Sequence, residues 1–156
     1  MNSLNVIAFN IVKKFTEKQK TFSIAESCTG GLIASSITDI PGASKVFVAG
    51  FVVYATEMKK RILKISDETF KYGVISREMA EAMAKAVRSI THSDYSIATT
   101  GNLGPDTMEG KPKGLIYIAV STPERVYVKE LNLTGDRLSN KIKATEEALK
   151  FLSEVM

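Results

Sequence analysis

The chain has one cysteine, one histidine, no tryptophan and four prolines in 156 residues. A single cysteine, Cys28, excludes an internal disulfide. One histidine and one cysteine, with no carboxylates clustered at ligand spacing, offer nothing from which to build a metal centre. No apolar run approaches the roughly 20 residues of a membrane-spanning helix. Met1 to Phe15 mixes charge with apolar periodicity and lacks a signal-peptide pattern. A cytoplasmic protein without membrane contact is the simplest expectation. Internal repeats, low-complexity tracts, and Walker or dinucleotide glycine fingerprints are also missing.

Nucleic-acid features are equally sparse. The formal net charge is +4, from 21 Lys+Arg against 17 Asp+Glu, and the basic residues are dispersed along the chain. No aromatics interleave with them as on a single-strand-binding platform, and no zinc-finger or RNA-recognition signature occurs. A balance this modest suits a small phosphorylated ligand better than a long polyanion.

What is present is an ordinary globular composition, 44% hydrophobic and 24% charged. The length fits one domain over residues 1–156. Leu4, Ile7, Ala8, Ile11, Val12 and Phe15 recur at helical spacing. Strands are expected at 21–25, 46–55, 95–100, 115–121 and 126–133. Helices are expected at 29–38, 57–63, 66–72 and from Ser76, with a last one from about Thr134. The run 46–55, apolar on both faces, reads as a central strand covered on both sides. In the helix after Ser76, Met79, Met83, Ala86, Val87 and Ile90 form the inward stripe. In the last helix that stripe is Leu138, Ile142, Thr145, Leu149, Leu152 and Met156. Alternation of strands and helices to residue 100, followed by a hairpin, predicts a three-layer α/β/α sandwich. Its sheet should be mixed, mostly parallel and of about five strands.

The chemistry concentrates in Ala25-Glu26-Ser27-Cys28-Thr29-Gly30-Gly31. A strand turning through hydroxyls and two glycines into a helix leaves backbone N–H groups without partners. Such a turn can seat an anion or stabilise an oxyanion. Ser27 stands where a nucleophile would stand. A serine needs a base, and His92 lies at the far end of a helix, where a helix C-terminal cation is the simpler role. A lysine can serve if burial holds it neutral, which means poising it near ~7–8 against an ordinary ~10.4. Lys59, shortly after the second strand, is the candidate. A capping serine and a surface lysine are the plainer reading of the same two residues. Cys28 is a second possible nucleophile or a small buried residue. Glu26 would orient a neighbour or accept a backbone N–H.

Four blocks in order resemble the C-terminal domain of the competence/damage-inducible protein CinA. They are Ala25 to Gly31; Gly50-Phe51-Val52-Val53-Tyr54 continuing to Lys59; Thr100-Gly101 with Gly104-Pro105-Asp106; and Gly135-Asp136-Arg137. Stand-alone members of that family are nicotinamide-nucleotide amidases. The resemblance implies hydrolysis of the carboxamide of nicotinamide mononucleotide (NMN), giving nicotinic acid mononucleotide and ammonia, without a cofactor. It assigns Ser27 as nucleophile, Lys59 as general base, and Tyr54 to proton transfer or positioning of the lysine. Thr100, Gly101, Gly104 and Arg137 would hold the nucleotide. The backbone of Thr29, Gly30 and Gly31 would stabilise oxyanion or phosphate. A homo-oligomer is implied as well. A non-catalytic pyridine-nucleotide-binding module in a competence or DNA-damage response is the alternative. The sequence departs from the family pattern at Thr107-Met108-Glu109, where glycines are usual. Lys141 and Lys143 stand where arginine is usual, and Ala55-Thr56-Glu57 replaces a serine-asparagine pair.

Overall fold

A computed structural model describes residues 2–156. Its elements in chain order are α1 (Ser3–Lys18), β1 (Phe22–Glu26), α2 (Leu32–Thr38), β2 (Phe47–Val52), α3 (Thr56–Arg61), α4 (Asp67–Phe70), α5 (Arg77–Thr91), β3 (Tyr95–Gly101), β4 (Leu115–Ser121), β5 (Val126–Asn132) and α6 (Arg137–Val155). Side chains start several of the helices. Asn2, Ser66, Ser76 and Asp136 each accept a backbone N–H from the first turn that follows. Thr56 does not cap α3 but is its first helical residue, with Ala55 in the cap position. His92 closes α5 in a left-handed conformation.

The five strands form one mixed sheet in the order β2-β1-β3-β4-β5. β1 runs parallel to both β2 and β3, while β3–β4 and β4–β5 are antiparallel. Helices cover both faces, the three-layer sandwich expected from the pattern. One face carries Phe22, Ile24, Ile97, Ile116, Ile118 and Val120 and packs under α1, α2 and α6. The other face carries small residues, Ala25, Ala98 and Ala119, which meet Met79, Met83 and Val87 of α5. Alternation along each strand thus separates a bulky aliphatic face from one shallow enough to accept methionines.

β2 departs from expectation. It is an edge strand, and its residues alternate between half-buried and exposed. Val48 and Val52 face outward. The apolar run therefore reflects an uncovered edge and not a doubly covered centre. Gly50 is tightly placed: a Cβ there would stand 3.1 Å from the Phe47 ring and 3.4 Å from Ala34. The register also slips here, since Phe22 opposes Phe47 while Ile24 opposes Gly50. The extra residue on β2 is the mark of a bulge. Three stripe residues are likewise exposed, namely Ile90, Leu138 and Ile142. α6 is turned so that Asn140, Ala144 and Ala148 join Thr145, Leu149 and Leu152 inside.

The topology matters for function. From β1 the chain passes to one neighbour, β2, and later to the other, β3. The carboxyl end of β1 is therefore a switch point, where a crevice opens between diverging connections. Ser27 is the first residue beyond it.

Candidate functional site

Backbone pairing fixes Ser27 on both sides. Its N–H donates to the Thr99 carbonyl on β3 at 3.1 Å. The carbonyl of Glu26 accepts from Val53 N at 2.9 Å, beyond β2. Val53 leads into α3, and α3 carries Lys59 back under the turn. Lys59 Nζ lies 2.9 Å from Ser27 Oγ, 2.9 Å from the Val53 carbonyl and 3.2 Å from the Tyr54 carbonyl. The residue is only 1% exposed and has no acidic partner in contact among the described residues. Burial pushes its pKa down to about 8, and the more distant Glu109 carboxylate only partly counters that. A neutral amine has two N–H groups and one lone pair. The two carbonyls can take the N–H groups, which leaves the lone pair toward the Ser27 hydroxyl.

The turn after Ser27 is not the open anion seat that its glycines suggest. Glu26, 1% exposed, turns its carboxylate back into the N-terminus of α2. It accepts from Thr29 Oγ1 at 2.6 Å and from the backbone N–H groups of Gly31, Ile33 and Ala34 at 3.0–3.1 Å. Gly30 N–H is spent on the Ser27 carbonyl. Thr29, fully buried, also bonds Thr99 Oγ1 at 2.9 Å. The N–H groups assigned to ligand at Gly30 and Gly31 are thus occupied from within, as is the Thr29 hydroxyl. A carboxylate on the preceding strand is a stronger and nearer acceptor than any diffusing anion. Among the described residues the main-chain N–H of Cys28 donates to no other residue, and Cys28 lines the crevice. It follows Ser27 directly, the position that one oxyanion donor takes on nucleophile turns of known enzymes. Gly30 and Gly31 serve instead by adopting positive φ, +61° and +102°. Cys28 lines the crevice, but burial pushes its thiol pKa up to about 12. It is no thiolate nucleophile.

The crevice beside Ser27 has a volume of about 200 Å³. Tyr54, Gly101, Leu103, Asp106, Met108 and Arg137 are among its walls. The structure thus brings Ser27, Lys59, Tyr54, Gly101 and Arg137 together. Tyr54 meets the lysine through its carbonyl and not its phenol. The phenol oxygen accepts from Arg137 Nη2 at 2.9 Å, while Arg137 Nη1 donates to the Gly104 carbonyl at 2.7 Å. Gly104 is thus a support for the arginine. Gly101 keeps the floor low, because a Cβ there would lie 2.5 Å from the Leu115 carbonyl. Thr100 does not reach the crevice; it is 2% exposed and donates to the Val74 carbonyl at 2.5 Å.

Two asparagines escaped the sequence reading. Asn102 gives its amide to the carbonyls of Met108 and Lys111 and accepts from Met108 N–H, which ties the loop after β3 into a closed shape. Asn140 bonds the Leu103 carbonyl and both backbone groups of Gly135. Buried asparagines between glycine-rich segments were the available signal. Of the two late lysines, Lys143 pairs with Glu147. Lys141 stands free of acids among the described residues, its Nζ 3.6 Å from where a Cβ on Gly30 would be.

A model of the CinA C-terminal domain matches residues 4–156. The chain belongs to the CinA C-terminal domain family. A "putative competence-damage inducible protein" of Thermoanaerobacter pseudethanolicus is 45% identical over 143 residues, covering 89% of this chain and 34% of that protein. A "CinA-like protein" of Acidobacterium capsulatum is 41% identical, covering 83% of this chain and 32% of its own length. The chain thus spans about a third of the length of the curated relatives it matches. Among solved structures, the competence/damage inducible protein CihA from Agrobacterium tumefaciens superposes with a TM-score of 0.94 at 32% identity. That match covers 99% of this chain and 96% of the other. A CinA superfamily protein from Escherichia coli gives 0.96 at 28% identity, covering 99% and 91%. The CinA fold assignment is therefore shared across the whole of this chain. No helix among the described residues is long and apolar enough to cross a membrane.

Proposed function

We propose that this CinA domain is a nicotinamide-nucleotide amidase working through Ser27 and Lys59. The observation that carries the reading is the buried lysine without a counter-ion, 2.9 Å from a serine hydroxyl at the mouth of a crevice. A protein does not bury an unpaired amine cheaply, and activated nucleophiles are where such amines are used.

The steps follow from the contacts. Lys59 Nζ takes the Ser27 proton as Oγ bonds to the carboxamide carbon. The carbonyl oxygen becomes an oxyanion, received by the N–H of Cys28. The Lys59 ammonium then gives its proton to the departing nitrogen, the C–N bond breaks, and ammonia leaves. Water, deprotonated by the same amine, attacks the acyl-serine, and the carboxylate and free hydroxyl result. Arg137 and Tyr54 form a polar rim for the nucleotide. Lys141, free and close to Gly30, supplies a positive charge for its phosphate.

The test is release of ammonia and nicotinic acid mononucleotide from NMN by wild type without added metal, with none from Ser27→Ala or Lys59→Ala. Saturable NMN binding with no product, unaffected by Ser27→Ala, would replace the amidase reading with that of a binding module.

A further inference from the structure

The loop between β3 and β4 supplies one crevice wall through Asp106, Thr107 and Met108. Just beyond that wall, Glu109 and Lys111 reach away from the crevice to the chain that leads into α5. The Glu109 carboxylate accepts from Val74 N at 2.8 Å and from Ile75 N at 3.0 Å. The Lys111 ammonium donates to the Ile75 carbonyl and stands 3.3 Å from Glu109. With the Tyr72 carbonyl 3.4 Å from Lys111 Nζ, two main-chain donors and two main-chain acceptors are thus read by one acid and one base. This is a two-point grip of charge-assisted hydrogen bonds.

The backbone is shaped for the grip on both sides. Gly73 has φ +87°, and a Cβ there would lie 2.6 Å from the carboxylate. Glu109 itself is left-handed, φ +62°, which few non-glycine residues adopt. The gripped segment is anchored in turn. Val74 accepts the Thr100 hydroxyl at the end of β3. Val74 and Ile75 also share the apolar cluster of Leu63 and Ile65, immediately after the helix that carries Lys59.

We propose that Glu109 is a positioning residue for the hydrolysis proposed above: with Lys111 it clasps the crevice loop to Gly73–Ile75 and so fixes the wall that receives the substrate. The kinetic part of this inference rests on the amidase reading; the clasp itself does not. Glu109 has a second consequence. Its charge reaches Lys59 and favours the protonated amine, against the larger effect of burial. Losing the carboxylate therefore leaves Lys59 easier to deprotonate.

The experiment compares wild type, Glu109→Ala and Lys111→Met as the full chain. Two variants should raise KM for NMN about tenfold with kcat within about twofold, the size expected for lost charged hydrogen bonds. Glu109→Ala should also move the acid limb of kcat/KM to lower pH, while Lys111→Met, which keeps the carboxylate, should not. Amide hydrogen exchange at Val74 and Ile75 should quicken in Glu109→Ala with the far-UV circular dichroism unchanged. Should Glu109→Ala not fold, Glu109→Gln takes its place with the same expected directions. Unchanged exchange at those two amides overturns the clasp, and unchanged KM in an active enzyme overturns the positioning role. A wild type that never turns over NMN defeats the amidase reading instead, and exchange still decides the clasp.

Discussion

Glu26, the last residue of β1, and Lys59, in the helix after β2, are each 1% exposed and lie at the same end of the sheet, yet their surroundings differ in kind. The acid has four donors at 2.6–3.1 Å and the positive end of a helix. The base has only dipoles, two carbonyls and one hydroxyl, and no opposite charge in contact. A buried charge that is solvated this fully by its own chain is a structural part. A buried amine that is solvated this poorly holds its proton less tightly, and ready loss of a proton is what a general base requires. The same depth of burial thus builds a turn at one place and, on the reading proposed above, a base at the other.

The sharpest way to break that contrast is to remove Ser27 or Lys59. Ser27→Ala or Lys59→Ala should lower NMN hydrolysis roughly 10³-fold or more, measured as ammonia release. Near-normal turnover in either variant would leave Lys59 as a buried curiosity. Glu26→Ala should act on stability before chemistry. It strips a hydroxyl and three N–H groups of their acceptor, and a loss of roughly 3–5 kcal/mol is expected from urea unfolding. Glu26→Gln keeps an acceptor oxygen and should lose only about 1–2 kcal/mol. Equal losses in the two would mean that the charge of Glu26, and not its acceptor geometry, carries the turn.

The contrast has a pH signature. With the Lys59 pKa down to about 8, kcat/KM should rise about tenfold per pH unit below 8 and level off above it. The sign for stability follows from linkage. Between about 8 and the ordinary 10.5 the unfolded chain holds the Lys59 proton and the folded chain does not. The destabilisation from burying the ammonium is therefore present below pH 8 and is relieved as pH rises to 10.5. Against Lys59→Met, the wild type should gain ground across that window. A difference in unfolding free energy that stays flat from pH 7 to 10.5 would mean that the lysine is not poised.

The approach of Ser27 and Lys59 to one another and the layer order were legible because each depends on short-range pattern. Ser27 follows an apolar strand and precedes a helix, and Lys59 follows the next strand by a few residues. What could not be read was which donors were already taken. Glu26 meets N–H groups five to eight residues further on, and only the real bend of the turn brings them to its carboxylate. Thr100 looked like a loop ligand until its hydroxyl was found on Val74, in a segment 26 residues earlier. The edge position of β2 was hidden for a related reason. An apolar run records avoidance of water or of charge, and Val48 and Val52 do the same whether a helix covers them or nothing in this chain does. In α6 the polar Asn140 faces inward because Leu103 and Gly135 need its amide, which displaced Leu138 and Ile142 from the expected stripe.

Arg137 offers the mildest test, on the outer rim where neither extreme of burial applies. Its guanidinium spans Gly104 and Tyr54 with two separate nitrogens, a geometry that a lysine ammonium cannot reproduce. Arg137→Lys should therefore raise KM for NMN several-fold, about tenfold at most, with kcat nearly intact, because the reacting atoms are untouched. Tyr54→Phe removes only the exposed end of that span and keeps the carbonyl that faces Lys59, so about twofold is expected. The double variant should then be little worse than Arg137→Lys alone, since one hydrogen bond cannot be lost twice. Additive losses would place the phenol directly on the substrate and extend the reactive region outward from Lys59 to the rim.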